Sequence, residues 1–156
     1  MSDVTLTTCR RASEQDVEAL VALRAEMFCA MGTQNIDGPW VSAARSWFAE
    51  RIHDPAFGIF VVASGGSVVA CSVAAIRDAA PSPGNPHGRD VLISNVCTFP
   101  EYRGSGYGRR AFSAALEWAH RTGVPRAELM ATAAGRGMYA RAGFAETTFP
   151  AMRADI

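Results

Sequence analysis

The sequence predicts a mixed α/β fold of the α+β kind, with a central sheet of six to seven strands flanked by about four helices in the order βααβββαβαββ. Three observations carry this expectation. Two β-rich runs, Phe57 to Ala63 and Val68 to Ile76, are separated by a turn with the residues of a tight hairpin. Apolar residues elsewhere recur at helical spacing, and the strand–helix–strand series from Val91 to Thr132 reads as one right-handed crossover unit, of the kind that places ligands beyond the carboxyl ends of its strands. At 156 residues, 49% of them hydrophobic, the chain suits one domain over 1–156, burying about two thirds of its unfolded surface.

The elements follow in order. Val4 to Cys9 alternates weakly as a first strand, and Ser13 is a natural N-cap for a helix carrying Val17, Leu20, Leu23 and Met27 on one side. Pro39 suits a first helical position, and Val41, Ala44, Phe48 and Ile52 follow at helical spacing until His53-Asp54-Pro55 stops the second helix. Gly65-Gly66 supplies the hairpin turn. Prolines between Pro81 and Gly88 keep that stretch out of helix and central strand, so it is expected as an exposed loop. Val91 to Phe99 is a strand, and Tyr107 to Arg121 a helix with Phe112, Ala115, Leu116 and Ala119 on one face. Gly123-Val124-Pro125 ends that helix. Glu128 to Thr132 is a short strand and Gly137 to Ala142 a short helix stopped by Gly143; Phe144 to Ala154 is expected as two short strands around Pro150.

Fifteen basic residues balance fifteen acidic ones, so no global field draws the chain to nucleic acid or to an anionic membrane. All fifteen cations are arginine. The lack of lysine excludes P-loop phosphate binding, pyridoxal Schiff-base chemistry and kinase-like transfer, and with the abundant alanine it fits the codon usage of a GC-rich bacterial genome. Cys9, Cys29, Cys71 and Cys97 form no C-x-x-C pair, and no His cluster has ligand spacing, so reduced core cysteines, a cytoplasmic setting and no metal are expected. Met1-Ser2-Asp3 shows no basic region followed by an apolar stretch, so no cleaved leader is expected, and no apolar run approaches membrane-spanning length.

Chemistry concentrates in the turn Pro100-Glu101-Tyr102-Arg103-Gly104-Ser105-Gly106-Tyr107-Gly108-Arg109-Arg110, since Tyr102 through Leu116 holds three arginines and no acid. Glycines let successive N–H groups point into one concavity, and the following helix adds its positive end, which makes a diphosphate cradle without lysine. Gly106, Gly108 and Ala111 also fit G-x-G-x-x-A, but a dinucleotide site needs its first glycine at the strand end, whereas Pro100 to Ser105 intervene here.

Arg103-Gly104-Ser105-Gly106-Tyr107-Gly108 resembles the Arg/Gln-x-x-Gly-x-Gly/Ala acetyl-CoA signature of the GCN5-related N-acetyltransferases (GNAT), and Met138-Tyr139-Ala140-Arg141-Ala142-Gly143-Phe144 resembles that family's Leu-Tyr-x-x-x-Gly-Phe element. The element order agrees over essentially the whole chain. The resemblance implies the GNAT fold and an N-acetyltransferase that moves acetyl from acetyl-CoA to a primary amine by direct transfer in a ternary complex. It implies that the pantetheine arm meets Val96, Cys97 and Thr98, and that the pyrophosphate meets the backbone of Arg103, Gly104, Ser105, Gly106, Tyr107, Gly108 and Arg109. Thr132 and Arg136 belong to the same expected cofactor site, and Arg136 and Arg141 are equally compatible with a solvated surface. Tyr139 matches the tyrosine that serves the leaving sulfur, with packing on the sheet as its alternative role.

The general base departs from histone-type relatives, because their fourth-strand glutamate falls at Leu92, which accepts no proton. Ser94 and Asn95 are candidates to hold a water instead, with Glu26 on the first helix in reserve; equally, Asn95 suits a bulge and Glu26 a solvated helix position. Met27, Phe28, Met31, Trp40 and Trp47 lie on helices that wall the acceptor site in this family, although core packing suits most of them. The Gly32–Gly38 junction and the loop around His87 are where acceptor specificity is expected, for a small molecule with an apolar part. A non-catalytic acyl-CoA sensor and a transferase acting on a protein or peptide amine are the alternative functions. A homodimer is compatible with either.

Overall fold

The hairpin closes as expected. Ser64 pairs with Ser67 across Gly65-Gly66, and the register then runs back through Val61 opposite Cys71 to Phe57 opposite Ala75. In the computed structural model, which describes residues 5–156, these strands are β2 (Phe57–Ser64) and β3 (Ser67–Arg77), the centre of a five-stranded sheet. Strand β1 (Thr7–Arg11) lies antiparallel to β2, β4 (Asp90–Thr98) lies antiparallel to β3, and β5 (Ala127–Leu129) is parallel to β4. Helices α1 (Val17–Ala30) and α2 (Pro39–Arg51) link β1 to β2, α3 (Tyr107–Arg121) links β4 to β5, and α4 (Arg136–Arg141) follows β5.

Strand alternation divides the core between the two faces of the sheet. Leu20, Leu23 and Phe48 of the first two helices, with Ile52 just past the end of α2, bury against Ile59, Val61, Cys71 and Val73. On the opposite face Phe112, Ala115, Trp118 and Ala119 of α3 bury against Phe60, Ala74, Val91 and Ile93, with Met138 and Tyr139 of α4 packed alongside. Gly58 permits that contact, since a Cβ there would lie 2.6 Å from the Trp118 ring. Each buried large side chain contributes roughly 1.5–3 kcal/mol by leaving water. Among the described residues no helix is long and apolar enough to cross a membrane.

The strand count is a correction to the sequence reading. Phe144 to Ala154 forms no strand, and the sheet stops at five. The physical reason is the lack of a template and of apolar gain: β5 offers three residues, Pro150 has no N–H to donate, and Phe149 is 84% exposed. The predicted strand at Glu128–Thr132 likewise shortens and moves to Ala127–Leu129, and α4 starts and ends one residue before the expected Gly137–Ala142. Strand β1 ends at Arg11, two residues past the expected Cys9, and Val4 lies outside the described residues, as do Met1-Ser2-Asp3. Two arginines extend the strand because tertiary partners take their charges. Arg11 donates to the carbonyls of Ile52, Asp54 and Phe57 beyond the end of α2, and Arg10 pairs with Asp16.

Ser13 does open the helical segment, through a single 3-10 turn over Glu14–Asp16 that runs into α1. Asp16 accepts from the Ser13 N–H at 2.7 Å and from both Arg10 guanidinium nitrogens at 2.6 and 3.0 Å. Burial pushes the Asp16 carboxyl up, but the Arg10 and Ser13 hydrogen bonds outweigh it and hold the group below the usual carboxylate range. With the folded value below the unfolded one of about 3.9, this stabilisation is complete above that pH and is lost as pH falls through the folded value. Asp16→Asn should therefore cost about 1–2 kcal/mol at pH 7, and the difference from wild type should shrink on acidification; urea melts at pH 7 and pH 3 measure both.

Candidate functional site

Strand β4 carries an irregularity that shapes everything near it. Its register with β3 slips between Cys71 opposite Cys97 and Val73 opposite Ser94, and Asn95 takes a left-handed φ of 54° at the slip. This is a bulge, in which one strand holds an extra residue. Asparagine tolerates that conformation better than most residues. Its side chain is also held, since Oδ1 accepts from Arg24 Nη1 at 3.0 Å and Nδ2 donates to Cys71 Sγ at 3.4 Å. The expected bulge role of Asn95 is thus present in the structure.

Past the bulge, β4 and β5 part. They pair only from Val91 with Ala127 to Ile93 with Leu129, so the β5-facing edge of β4 from Ser94 onward has no strand partner. A buried backbone donor or acceptor without a partner costs about 1–3 kcal/mol, and such an edge favours an extended, amide-bearing ligand. Of the residues expected along it, Val96 is half-buried among the α3-face residues and Thr98 is half-buried. The Cys97 thiol is turned away onto the Leu23 carbonyl, 3.1 Å from it. Burial pushes this thiol up to about 11, Arg103 pulling it down and the Glu26 carboxylate pushing it up. At neutral pH Cys97 is therefore a thiol rather than a nucleophilic thiolate.

The glycine-rich turn stands at the carboxyl end of the same strand. Gly104 and Gly106 have φ of 85° and 81°, with open space on the side where a Cβ would sit. The first intrahelical hydrogen bond of α3 runs from the Arg110 N–H to the Gly106 carbonyl, so the N–H groups of Tyr107, Gly108 and Arg109 have no partner within the helix. Ser105 and Arg109 are exposed, and Arg103 donates through Nε to the Thr98 carbonyl at 3.2 Å, which ties the turn to the strand. The Tyr107 side chain points into the fold, its hydroxyl 3.3 Å from Ser64 Oγ. Backbone N–H groups, a helix end and nearby arginines suit an anionic diphosphate.

Two cavities flank the parting strands. One, of about 410 Å³, borders β4 and is lined by Ser94, Asn95, Arg24, Val73, Trp40 and Trp47, among others. Its walls are stiff: Trp40 stacks edge-on against Phe28 and donates to the Ile36 carbonyl, and Trp47 lies edge-on to Phe57 under the Arg51 guanidinium. The other, of about 900 Å³, borders β5 and is lined by Glu128, Leu129, Arg136, Tyr139 and Phe144, among others. The structure thus brings Ser94 and Asn95 together but puts Tyr139 in a different cavity.

Tyr139 packs edge-on to Phe112, ring centroids 5.0 Å apart, and burial raises its phenol above the ordinary tyrosine range. It is both a half-buried residue packed against the core and a proton-bearing group through neutral pH. Thr132 accepts from the Gly135 and Arg136 N–H groups at the start of α4, and Arg136 is ion-paired with Glu146. Arg141 and His87 are exposed. Glu26 is half-buried on α1 and bears on Cys97, while Leu92 is half-buried opposite Ala75 and Glu128. Of the residues expected on the acceptor wall, Met27 and Trp47 pack on the core, and Met31 is 61% exposed.

Arg24 is the residue that sequence reasoning missed. Its signal was faint: it sits four residues after Leu20 and three before Met27, so an arginine falls beside the apolar stripe of α1.

The turn and the strand edge make a testable pair. Gly106→Val forces a β-branched residue into a left-handed conformation and should abolish binding of the acetyl-CoA that the sequence resemblance implies, read by calorimetry, whereas Arg103→Ala should only weaken it. Wild-type affinity in a Gly106→Val variant that is folded by circular dichroism excludes the backbone cradle.

Residues 20–144 match the model of the acetyltransferase (GNAT) family. The chain also resembles solved structures along nearly its whole length. A predicted acetyltransferase with acetyl-CoA from Clostridium acetobutylicum superposes with a TM-score of 0.85 at 21% identity, covering 96% of both chains. A GCN5-related N-acetyltransferase from Ralstonia eutropha gives 0.81 at 26% identity, covering 96% of this chain and 99% of that one. Glucosamine-6-phosphate N-acetyltransferase from Arabidopsis thaliana gives 0.74 at 14% identity, over 96% and 98% of the two chains. The chain matches no curated protein.

Proposed function

Since the chain belongs to the acetyltransferase (GNAT) family, we propose that this enzyme moves the acetyl group of acetyl-CoA to a primary amine of a small molecule, by direct transfer with both substrates bound. The observation that carries the reading is the unpartnered edge of β4 running into the glycine-rich start of α3. When bound, acetyl-CoA supplies the activated acetyl group and a thiolate leaving group. The chain's own residues supply the rest. The edge past Ser94 offers backbone hydrogen bonds to the pantetheine amides, and the turn from Arg103 to Arg109 offers N–H groups and positive charge to the pyrophosphate.

The Tyr139 phenol, kept protonated by burial, serves as proton donor to the departing sulfur. For the amine, Leu92 offers no base, so a water on the Ser94 hydroxyl and the Asn95 backbone accepts the proton, with Glu26 as the reserve. The stiff aromatic wall of the 410 Å³ cavity favours a small acceptor with an apolar part over a protein tail.

Release of free CoA thiol against a broad amine panel tests the activity, and acetyl-CoA binding with no turnover of any amine favours a sensor instead. In the same assay Tyr139→Phe should lower kcat by about 10²-fold or more with acetyl-CoA affinity nearly unchanged; an unaltered, chemistry-limited kcat returns Tyr139 to packing alone.

If water is the base, the rate should rise toward the pKa of the acceptor amine and move when amines of different basicity are compared. Glu26→Gln should then cost little, and Ser94→Ala, which removes the hydroxyl that holds the water, should cost more. Loss of most of kcat in Glu26→Gln, together with a pH limb that ignores the amine used, assigns the base to α1.

A further inference from the structure

Six arginines are ion-paired with acids: Arg10, Arg45, Arg51, Arg77, Arg121 and Arg136. Arg24 differs from them. It is half-buried, it lines the aromatic cavity beside Ser94 and Asn95, and among the described residues it has no carboxylate partner. One guanidinium nitrogen, Nη1, donates to Asn95 Oδ1, and the group lies 5.0 Å over the Phe28 ring. Nη2 and Nε have no hydrogen-bond partner among the described residues. Taking a cation out of water without an opposing charge is costly, so a half-buried arginine with no acid beside it suits an anion brought by a ligand.

We infer that Arg24 binds a carboxylate of the acceptor, so that the substrate of this cavity is an amine carrying a carboxylate and an apolar or aromatic side group. The inference rests on the acetyltransferase reading and narrows it. A single guanidinium matches the single charge of a carboxylate and its planar, two-oxygen geometry, while a phosphate dianion would stay half-neutralised. Trp40, Trp47 and Val73 take the apolar side group. Polycationic amines are disfavoured, because their charges meet Arg24 in a partly desolvated wall.

The pairing also bears on proton removal. A carboxylate close to an ammonium stabilises its charged form, and Arg24 offsets that charge on binding, so the amine gives up its proton more readily. That suits a strand in which leucine stands where a glutamate base would be.

Matched amines decide the matter: L-phenylalanine, L-tryptophan and L-leucine, each against its carboxamide and its decarboxylated amine, scored by release of CoA thiol. At least one acid should exceed its uncharged counterparts in kcat/KM by about 30-fold or more, the range for a partly buried charge pair. In Arg24→Gln that ratio should collapse toward one, and Arg24→Lys should keep part of it. The inference is overturned if amides and decarboxylated amines are used as well as the acids. It is equally overturned if Arg24→Gln, folded by circular dichroism, lowers acids and amides by the same factor, since that is the signature of support for Asn95 alone.

Should no amine release thiol, the transferase reading fails, and the inference is read separately by calorimetry. N-acetylphenylalanine is then compared with N-acetylphenethylamine on the chain saturated with CoA. Tighter binding of the acid that disappears in Arg24→Gln upholds the carboxylate site, and equal or absent binding overturns it.

Discussion

The bulge at Asn95 is the constraint on which the rest of the site depends. An uninterrupted β4 would keep its pairing register with β3 through the strand, and its alternation would put different side chains on each face. With the extra residue at 95, the register slips between Cys71 and Val73, and pairing with β5 stops after Ile93. The strand thereby presents an unpaired edge that runs directly toward the glycine-rich turn. The bulge is held in place by the buried Cys71 thiol and the half-buried Arg24 guanidinium, each hydrogen-bonded to the Asn95 side chain.

That arrangement joins the two halves of the chemistry. The edge and the α3 start are backbone features, so the proposed fit to an amide-bearing diphosphate depends on conformation more than on side-chain identity. The cavity toward α1 and α2 is built from side chains, and there charge and shape decide which molecule enters. Arg24 touches both halves, because it braces the bulge with one nitrogen and leaves the others to the cavity. A substitution at this position is expected to act on strand geometry and on ligand choice together, which is why ratios between matched ligands are more informative than absolute rates.

Rigidity at the site comes from packing at some distance from it. Phe48 and Ile52 seat α2 on the sheet, and Arg51 over Trp47 together with Phe57 against Trp47 fixes one wall of the cavity. On the other face Phe112 holds Tyr139. The beginning of α1 is held by Asp16 between Ser13 and Arg10, so the helix that carries Arg24 is anchored at its start. The cavity walls are therefore largely preformed, which lowers the ordering cost of binding a small ligand.

The hairpin, the start of α2 at Pro39, the bounds of α3 and the glycine-rich turn before it were all legible in the sequence, because each rests on local chemistry: glycine at positive φ, proline at a first helical position, a 3.6-residue apolar stripe. The α4 tyrosine was legible as a motif, with packing as its alternative role, but Phe112 of α3 as its partner was not. What the sequence could not settle depends on partners distant in the chain. Strand β1 reaches Arg11 because carbonyls beyond α2 accept its guanidinium, and Phe144 to Ala154 stays unpaired because β5 is too short to template it. Only the tertiary structure brought Arg24 of α1 to Asn95 of β4, 71 residues away. No periodicity encodes such a contact, since it arises from two elements packed on one sheet, and with it came the one unpaired charge lining the aromatic cavity among the described residues.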